Sequence, residues 1–137
     1  MPACSVIVVN WNGRHHLDAC LGSLRRQTFT DFEVILVDNG SADGSVEHVR
    51  QHHPWVEVVA LPDNRGFCGG NNVGIRRARG RYLALLNNDT EADPDWLGEL
   101  VGALERQDVG FCASQIRLFD ERNLLDSAGD VFAVNGV

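Results

Sequence analysis

The most informative segment of the chain is Val34-Ile35-Leu36-Val37-Asp38-Asn39-Gly40-Ser41. Its four consecutive apolar residues, with no alternation, are typical of a strand that is covered on both faces of a parallel sheet. The acid that ends the run is followed by an Asn-Gly-Ser loop, and open parallel sheets bind their ligands at the carboxyl ends of such strands. The segment therefore predicts a buried parallel strand with a polar site at its end.

Comparable segments recur along the chain, separated by helix-like patterns. Leu17, Cys20, Leu21 and Leu24 follow the i, i+3, i+4, i+7 spacing of an amphipathic helix. Strands are expected at residues 5–10, 32–38, 55–61, 81–86 and 109–116, and further helices around Val46 and Val49, at residues 71–79 with Gly80 as the C-terminal cap, and after Asp93-Pro94. This alternation predicts an α/β fold, with a mostly parallel sheet and helices on both of its faces.

The charge and cysteine content exclude several classes of function. The 137 residues include 19 acids and 12 bases, for a formal net charge of −7, so nucleic acid is not an expected partner. All the bases are arginines, and the absence of lysine excludes a Walker A loop or Schiff-base chemistry within this chain. The four cysteines form no Cys-x-x-Cys pair, which disfavours a zinc knuckle. The apolar pattern around Cys20 and Cys112 indicates buried thiols in a reducing compartment, whereas Cys68 lies in a glycine-rich loop where exposure is expected.

The sequence also bears on where the protein is found. No segment has the pattern of a signal peptide, and the longest apolar runs are far shorter than the roughly 18 residues that a membrane-spanning helix needs. We therefore expect a cytoplasmic protein. The arginine cluster at residues 76–81 allows a peripheral contact with an anionic membrane surface, at its inner face.

Polar residues follow the expected strands at two further places. Asn87-Asn88-Asp89 comes directly after the fourth strand, and oxygen ligands there suit a hard cation such as Mg²⁺, although a polar turn explains the same residues. Arg65 lies in a glycine-rich segment before a helix, where it can pair with an anion. That segment lacks the G-x-G-x-x-G spacing of a dinucleotide-binding fold. Together with Asp38, these residues favour a site for a nucleotide that carries a diphosphate.

Four segments resemble glycosyltransferase family 2, whose members are inverting enzymes of the GT-A fold. They are Ser5-Val6-Ile7-Val8-Val9-Asn10-Trp11-Asn12, Val37-Asp38-Asn39-Gly40-Ser41-x-Asp43-Gly44-Ser45, Asn64-Arg65-Gly66-Phe67-x-Gly69-Gly70-Asn71-Asn72-x-Gly74, and Leu85-Leu86-Asn87-Asn88-Asp89. They occur in the family's order and spacing over about residues 4 to 116. The third and fourth segments are most similar to members described as rhamnosyltransferases.

The resemblance implies a role for each matching residue. Asp38 would contact a pyrimidine base, Arg65 and the glycine loop would approach the nucleotide, and Asp89 would face a divalent metal, Mg²⁺ or Mn²⁺. Asn87 stands where the family has the first acid of its Asp-x-Asp motif, which lowers the charge of the site by one. The implied nucleotide-sugar-binding residues are Val9, Asn10, Asn12, Asp38, Asn39, Arg65, Gly66, Gly70, Asn72, Asn87 and Asn88.

The resemblance also implies the reaction and its partners. The donor would be a nucleotide-diphosphate-sugar, a UDP- or dTDP-sugar, and the acceptor a saccharide or a lipid-linked hydroxyl in the synthesis of a cell wall or polysaccharide. The family's general base lies in an acceptor-binding half, so we expect it beyond Val137. Four acids of the tail match no motif: Asp120, Glu121, Asp126 and Asp130.

The expected organisation is a nucleotide-sugar-binding domain at residues 1–116, followed at 117–137 by the start of an incomplete acceptor-side segment. Apolar residues of that tail are expected to form an exposed patch or to support a homodimer: Leu118, Phe119, Leu124, Leu125, Val131 and Phe132. Three alternatives stay open. They are a non-catalytic nucleotide-sugar-binding module or inactive remnant, a sugar-phosphate nucleotidyltransferase, and a plain α/β domain whose loops are only turns.

His48 and His52 form the one histidine pair with a spacing of i, i+4, which suits zinc on a helix. The residues between them include no glutamate in the metalloprotease position. We interpret these side chains as part of a solvated helix surface.

Overall fold

Four parallel strands form the central sheet of the protein. They are β1 (Cys4–Asn10), β2 (Phe32–Asp38), β3 (Glu57–Ala60) and β4 (Tyr82–Asn87). Their order across the sheet is β3-β2-β1-β4, and each neighbouring pair is parallel. In this register Asn10 pairs with Asp38, and Val9 pairs with Asn87. The carboxyl ends of three adjacent strands therefore lie side by side at one edge of the sheet.

The computed structural model describes residues 1–106 and 108–128. Two compact units make up the chain, Met1–Gly98 and Glu99–Val137. A boundary at residue 116 between two functional segments stays a prediction, and Asp130, Val131 and Phe132 lie outside the described residues. None of the helices in the described part is long and apolar enough to span a bilayer.

Helices follow each of the strands. They are α1 (Arg14–Arg25), α2 (Ser45–His52), α3 (Gly66–Arg77) and α4 (Trp96–Leu104). The chain moves outward from β1 to β3 and then returns across the sheet to β4. Right-handed crossovers therefore place α1 and α2 on one face and α3 on the other. The expected α/β fold, a parallel sheet with helices on both faces, is confirmed.

The core lies on both sides of β1 and β2. Ile7 and Val37 face α3, where a Cβ at Gly74 would lie 2.4 Å from Cγ2 of Ile7. Val6 and Val8, on the opposite face of β1, are fully buried, and so is the apolar stripe of α1. The glycine lets α3 pack directly on the sheet, and burial on both faces explains why these strands are continuously apolar.

The other sheet in the described residues is small. It pairs β5 (Ile116–Arg117) with β6 (Leu125–Ser127) in antiparallel fashion. The expected fifth parallel strand at residues 109–116 was therefore wrong, since only Ile116 of that range joins a strand. The described apolar side chains of the tail are exposed, as expected: Leu118, Phe119, Leu124 and Leu125.

Element boundaries also differ from the prediction, by one residue at the first and fourth strands and by more at the third strand and the third helix. The third strand begins at Glu57 instead of residue 55, because a turn in which the N–H of Val56 donates to the carbonyl of His53 comes first. The third helix begins at Gly66 instead of residue 71 and ends at Arg77. Gly80 is not its cap. A Cβ at that position would lie 2.5 Å from the backbone nitrogen of Ser5, so Gly80 permits a close passage past β1.

Candidate functional site

A buried pair of polar side chains lies at the ends of β1 and β2. Asn10 and Asp38 are opposite each other in the register and are 0% and 1% exposed. The Nδ2 amide of Asn10 donates to Oδ2 of Asp38 at 2.9 Å, and the backbone N–H of Ser41 donates to Oδ1 of Asp38 at 2.8 Å. Because each carboxylate oxygen accepts a hydrogen bond, the buried Asp38 side chain is held in one orientation.

The end of β4 joins this pair through Asn88, the residue directly after the strand. Its Nδ2 amide donates to Oδ1 of Asn10 at 2.8 Å. A Cβ at Gly13 would lie 2.3 Å from Nδ2 of Asn88 and 2.7 Å from Oδ1 of Asn10, so only glycine leaves room for this contact. One chain of hydrogen bonds, which we call the strand-end network (Asn88, Asn10, Asp38), therefore links three adjacent strands.

Asn39 connects the end of β2 to the start of α3. Its Nδ2 amide donates to the carbonyl of Gly66 at 3.0 Å, and its Oδ1 accepts from the backbone N–H of Arg65 at 3.2 Å. A Cβ at Gly70 would lie 2.8 Å from Cγ1 of Val9, so the first turns of α3 approach the sheet closely. These contacts place Arg65 and the N-terminus of α3 at the same sheet edge as the strand-end network.

Ser41 holds together the loops that follow β1 and β2. Its hydroxyl accepts from the backbone N–H of Asn12 at 2.8 Å and from Nδ2 of Asn10 at 3.3 Å. Oδ1 of Asn12 accepts from the backbone N–H of Ala42 at 2.8 Å, and Asn12 has a φ of 51°, a conformation that asparagine adopts more readily than most residues. The predicted set of site residues omits Ser41, although its loop pattern, Asn-Gly-Ser after a buried strand, is the feature that could have identified it.

The remaining predicted residues surround this buried network and are exposed. They are Asn12, Arg65, Gly66, Asn72, Asn87 and Asp89. Arg65 lies near one carboxylate, with its Nε 3.9 Å from Oδ1 of Asp63, which is too long for a hydrogen bond. Asn72 lies on α3 and its side chain makes no hydrogen bond within the described residues, so the network does not include it.

Asp89 is the residue whose chemistry fits a divalent cation at this edge. It is exposed, and its carboxylate has no hydrogen bond or ion pair within residues 1–106 and 108–128. The backbone carbonyl of Asn87 accepts from the Thr90 hydroxyl at 2.7 Å, which fixes the turn that carries Asp89. An uncommitted carboxylate is a ligand that Mg²⁺ or Mn²⁺ accepts when phosphate oxygens and water complete the shell.

The charges at the end of β4 also favour the binding of a cation. Burial raises the pKa of the Cys20 thiol to about 12, and the negative charges of Asp89 and Glu91 contribute to that rise. Cys20 lies beneath the turn, with its Sγ 3.7 Å from the carbonyl of Asn87. The two carboxylates thus create a negative potential at this strand end, which favours a cation.

Sequence comparisons identify related proteins. The family described as Glycosyl transferase family 2 matches residues 5–130. An uncharacterized glycosyltransferase of Haemophilus influenzae is 29% identical over 110 residues, which cover 78% of this chain and 34% of that protein. The glycosyltransferase AglE of Haloferax volcanii is 29% identical over 121 residues, covering 85% of this chain and 40% of that protein. The chain therefore spans less than half the length of these relatives.

The fold has a solved counterpart in the mannosyltransferase PcManGT from Pyrobaculum calidifontis, determined in complex with GDP-Man and Mn²⁺. The two share 26% sequence identity and superpose with a TM-score of 0.73, over 83% of this chain and 36% of the other. That likeness supports the assignment of the sheet and its flanking helices to the GT-A type.

Proposed function

Since the chain belongs to glycosyl transferase family 2, we propose that it is the nucleotide-sugar-binding part of an inverting glycosyltransferase. The observation that carries this proposal is the strand-end network, which joins the ends of β1, β2 and β4 at one edge of the sheet. Arg65 and the start of α3 are tied to the same edge by Asn39. A donor that binds through its base, its diphosphate and a divalent cation needs the protein groups that contact these three parts to lie close together.

The buried and exposed residues have different roles in this proposal. Asp38, whose carboxylate Asn10 and Ser41 hold in one orientation, contacts the pyrimidine base of a UDP- or dTDP-sugar. Arg65 is half-exposed and without a hydrogen-bonded acid, so its guanidinium is available to a phosphate oxygen. The backbone N–H groups in the first turn of α3 contribute the partial positive charge of a helix N-terminus to the same region. The residues thus orient the donor before any bond breaks.

Asp89, with Asn87 beside it, is the proposed ligand of Mg²⁺ or Mn²⁺. Such a cation, when bound, offsets the negative charge that develops on the leaving diphosphate. The PcManGT structure contains Mn²⁺ together with GDP-Man, which supports a divalent cation in this fold. Since Asn87 is neutral, the site supplies one carboxylate, and the donor's own phosphates are needed for tight binding.

Inversion requires a general base that takes the proton of the acceptor hydroxyl, an effect of about 10²- to 10⁴-fold in rate. The proposal gives that role to none of the residues in the motif-bearing segments. The proposed acceptor is a saccharide or a lipid-linked hydroxyl, with a rhamnosyltransferase-like donor choice. Peripheral contact with the cytoplasmic side of a membrane and a homodimer belong to the same proposal.

Calorimetry with UDP or dTDP, with and without Mn²⁺, tests the binding part of the proposal. We expect metal to strengthen binding at least about tenfold, because a cation held by Asp89 would offset the negative charge of the diphosphate. Asp89→Asn should abolish that gain. Glu91→Gln removes the same charge two residues away, which weakens the local field but leaves the proposed ligand in place, and should retain most of the gain. Equal binding by the parent and Asp89→Asn at every Mn²⁺ concentration would exclude Asp89 as the ligand.

A second candidate is a non-catalytic nucleotide-sugar-binding module, because the strand-end network and Arg65 account for binding of a donor and not for proton transfer. Such a module would bind the donor through the same residues without turnover. Incubation of the chain with UDP- and dTDP-sugars and an acceptor mixture separates the two. Release of nucleoside diphosphate above the rate of Asp89→Asn supports the transferase, whereas binding without release supports the module.

A further inference from the structure

Three metal-ligating side chains meet between α1 and α2, apart from the strand-end network. They are Asp18 of α1, His48 of α2 and His53, which caps the C-terminus of α2. Oδ1 of Asp18 lies 2.8 Å from Nε2 of His48 and 2.8 Å from Nε2 of His53. The three ligand atoms all lie within 4.8 Å of one another.

The histidine pair that forms this cluster is not the one that the sequence suggests. His52 stacks on His48 with ring centroids 4.4 Å apart. Its Nδ1 donates a hydrogen bond to the backbone carbonyl of His48, so this ring does not join the cluster. His53 has a φ of −127° and a ψ of 57°, which ends the helix and lets its ring reach Asp18. The side chain of His48 is only 11% exposed, so the expectation of a solvated helix surface was wrong for it, and that of His53 is only 13% exposed.

The hydrogen bonds fix which nitrogen of each ring faces the shared oxygen. A carboxylate oxygen only accepts, so both imidazoles direct an Nε2 proton at Oδ1 of Asp18. Nδ1 of His48 is buried and has no hydrogen-bond partner within the described residues, which leaves Nε2 as its accessible nitrogen. Packing therefore directs two ring nitrogens at one carboxylate oxygen, and a metal ion that binds among these three atoms displaces the two Nε2 protons.

The spacing between Asp18 and each of the two histidines is close to that of a tetrahedral metal centre. Bonds of about 2.0–2.2 Å from a metal to nitrogen and oxygen place neighbouring ligand atoms about 3.3–3.6 Å apart. The two N–O distances of 2.8 Å need to widen by about half an ångström to reach that range. Asp18 is exposed on one side, where it lines an open cleft of about 460 Å³ with His48 and Asp43, so water can reach the remaining coordination position.

We propose that Asp18, His48 and His53 bind one transition-metal ion of the Zn²⁺ class, which ties α1 to α2. Nitrogen ligands favour Zn²⁺, Co²⁺ or Ni²⁺ over Mg²⁺, whereas the proposed site at Asp89 offers only oxygen ligands. The two sites therefore select different metals. An ion that binds only the folded arrangement stabilises it in proportion to the logarithm of its concentration above Kd.

The test is a titration of the whole chain with Co²⁺, followed by displacement with Zn²⁺, in a Cys68→Ser background that removes the exposed thiol. We expect one Co²⁺ per chain with the visible absorption of a tetrahedral centre, and loss of that absorption when Zn²⁺ is added. Zn²⁺ should also raise Tm, whereas Mg²⁺ at the same concentration should not. UDP binding plays no part in these readouts, so their outcome is independent of the nucleotide-sugar proposal.

Three variants make the assignment specific. Asp18→Asn and His53→Gln should each weaken Co²⁺ binding at least about tenfold, because each removes one of three protein ligands. His52→Gln changes a neighbouring histidine outside the cluster and should bind like the parent. The proposal is overturned if stoichiometric Co²⁺ binding is absent, if it survives in His53→Gln, or if it is lost in His52→Gln instead.

Discussion

The Nδ2 amide of Asn10 donates to the Oδ2 carboxylate oxygen of Asp38 at 2.9 Å, between two side chains that face each other at the ends of β1 and β2. Both are buried, although they border the proposed nucleotide site. A polar pair in this position stabilises the folded chain as well as orienting groups of the proposed site. Substitution of either residue therefore changes stability and binding together.

Asp38→Asn is expected to destabilise the chain by about 1–3 kcal/mol. The new amide NH₂ would face either Nδ2 of Asn10 or the N–H of Ser41, and one buried donor would lose its acceptor. Urea unfolding measures the loss, and Asp31→Asn, an exposed acid just before β2, is the control. Unchanged stability in Asp38→Asn would show that the network rearranges at no cost. Weaker nucleoside binding by Asp38→Asn supports the proposed site only under conditions in which the variant remains folded.

Gly74→Ala should destabilise the protein by about 1–3 kcal/mol, because its Cβ would lie 2.4 Å from Cγ2 of Ile7 in a close-packed core. The double variant Gly74→Ala/Ile7→Ala removes the obstructing atoms, so its cost should be less than the sum of the two single costs. Gly22→Ala on α1 meets only the flexible end of Arg26, at 3.4 Å, and should be neutral or stabilising. Additive costs in the double variant would contradict the steric explanation.

Stability should fall in acid as Glu33 is protonated. Burial alone would raise the pKa of Glu33, but hydrogen bonds from the Ser5 hydroxyl and the Arg79 backbone, with the Arg79 charge, outweigh it and hold the pKa below its usual 4.5. A lowered folded-state pKa means that the contribution is complete above about pH 4.5 and is lost as the pH falls through the folded value. Unfolding free energies between pH 3 and 6 should therefore decline less steeply in Glu33→Gln. Parallel pH profiles for the two proteins would argue against this role.

Thiol chemistry should distinguish Cys68 from the core cysteines. Burial raises the pKa of Cys4 to about 11 and that of Cys20 to about 12, whereas Cys68 is exposed. Since the thiolate is the reactive form, a disulfide reagent at pH 8 should modify Cys68 quickly, and Cys4 and Cys20 only after unfolding. Cys68→Ser should remove the fast phase. A fast phase that persists in that variant would place a reactive thiol elsewhere.

The sequence predicted the strand ends well and the helix boundaries less well. Continuous apolar runs are typical of strands buried on both faces, and parallel register then brings Asn10 and Asp38 together without further information. The start of α3 at Gly66 was missed because glycine has low helix propensity, and this helix is favoured instead by close packing on Ile7 and Val9. Such packing is a tertiary effect that local patterns do not contain.

The same limit explains why the sequence wrongly predicted a fifth strand and did not reveal the histidine cluster. An apolar run at residues 109–116 indicates a strand only where a neighbouring strand is available, and in the described residues Ile116 pairs with Ser127 instead. Helical spacing relates His48 to His52, whereas the partner across the helix end is His53, brought there by the cap conformation. Asp18 belongs to another helix, so no spacing along the sequence could reveal the cluster.

Arg65→Ala should weaken binding of UDP about tenfold while leaving binding of uridine unchanged. The guanidinium is exposed at the start of α3 and holds no hydrogen-bonded acid, so a diphosphate is the anion with which it can form a charge-assisted bond. Arg76→Ala removes the same charge near the other end of α3 and controls for the long-range field. Calorimetry at two salt concentrations measures both ligands. Equal losses for UDP in the two variants would mean that Arg65 acts only through net charge, whereas a loss confined to Arg65→Ala assigns the diphosphate contact to this residue.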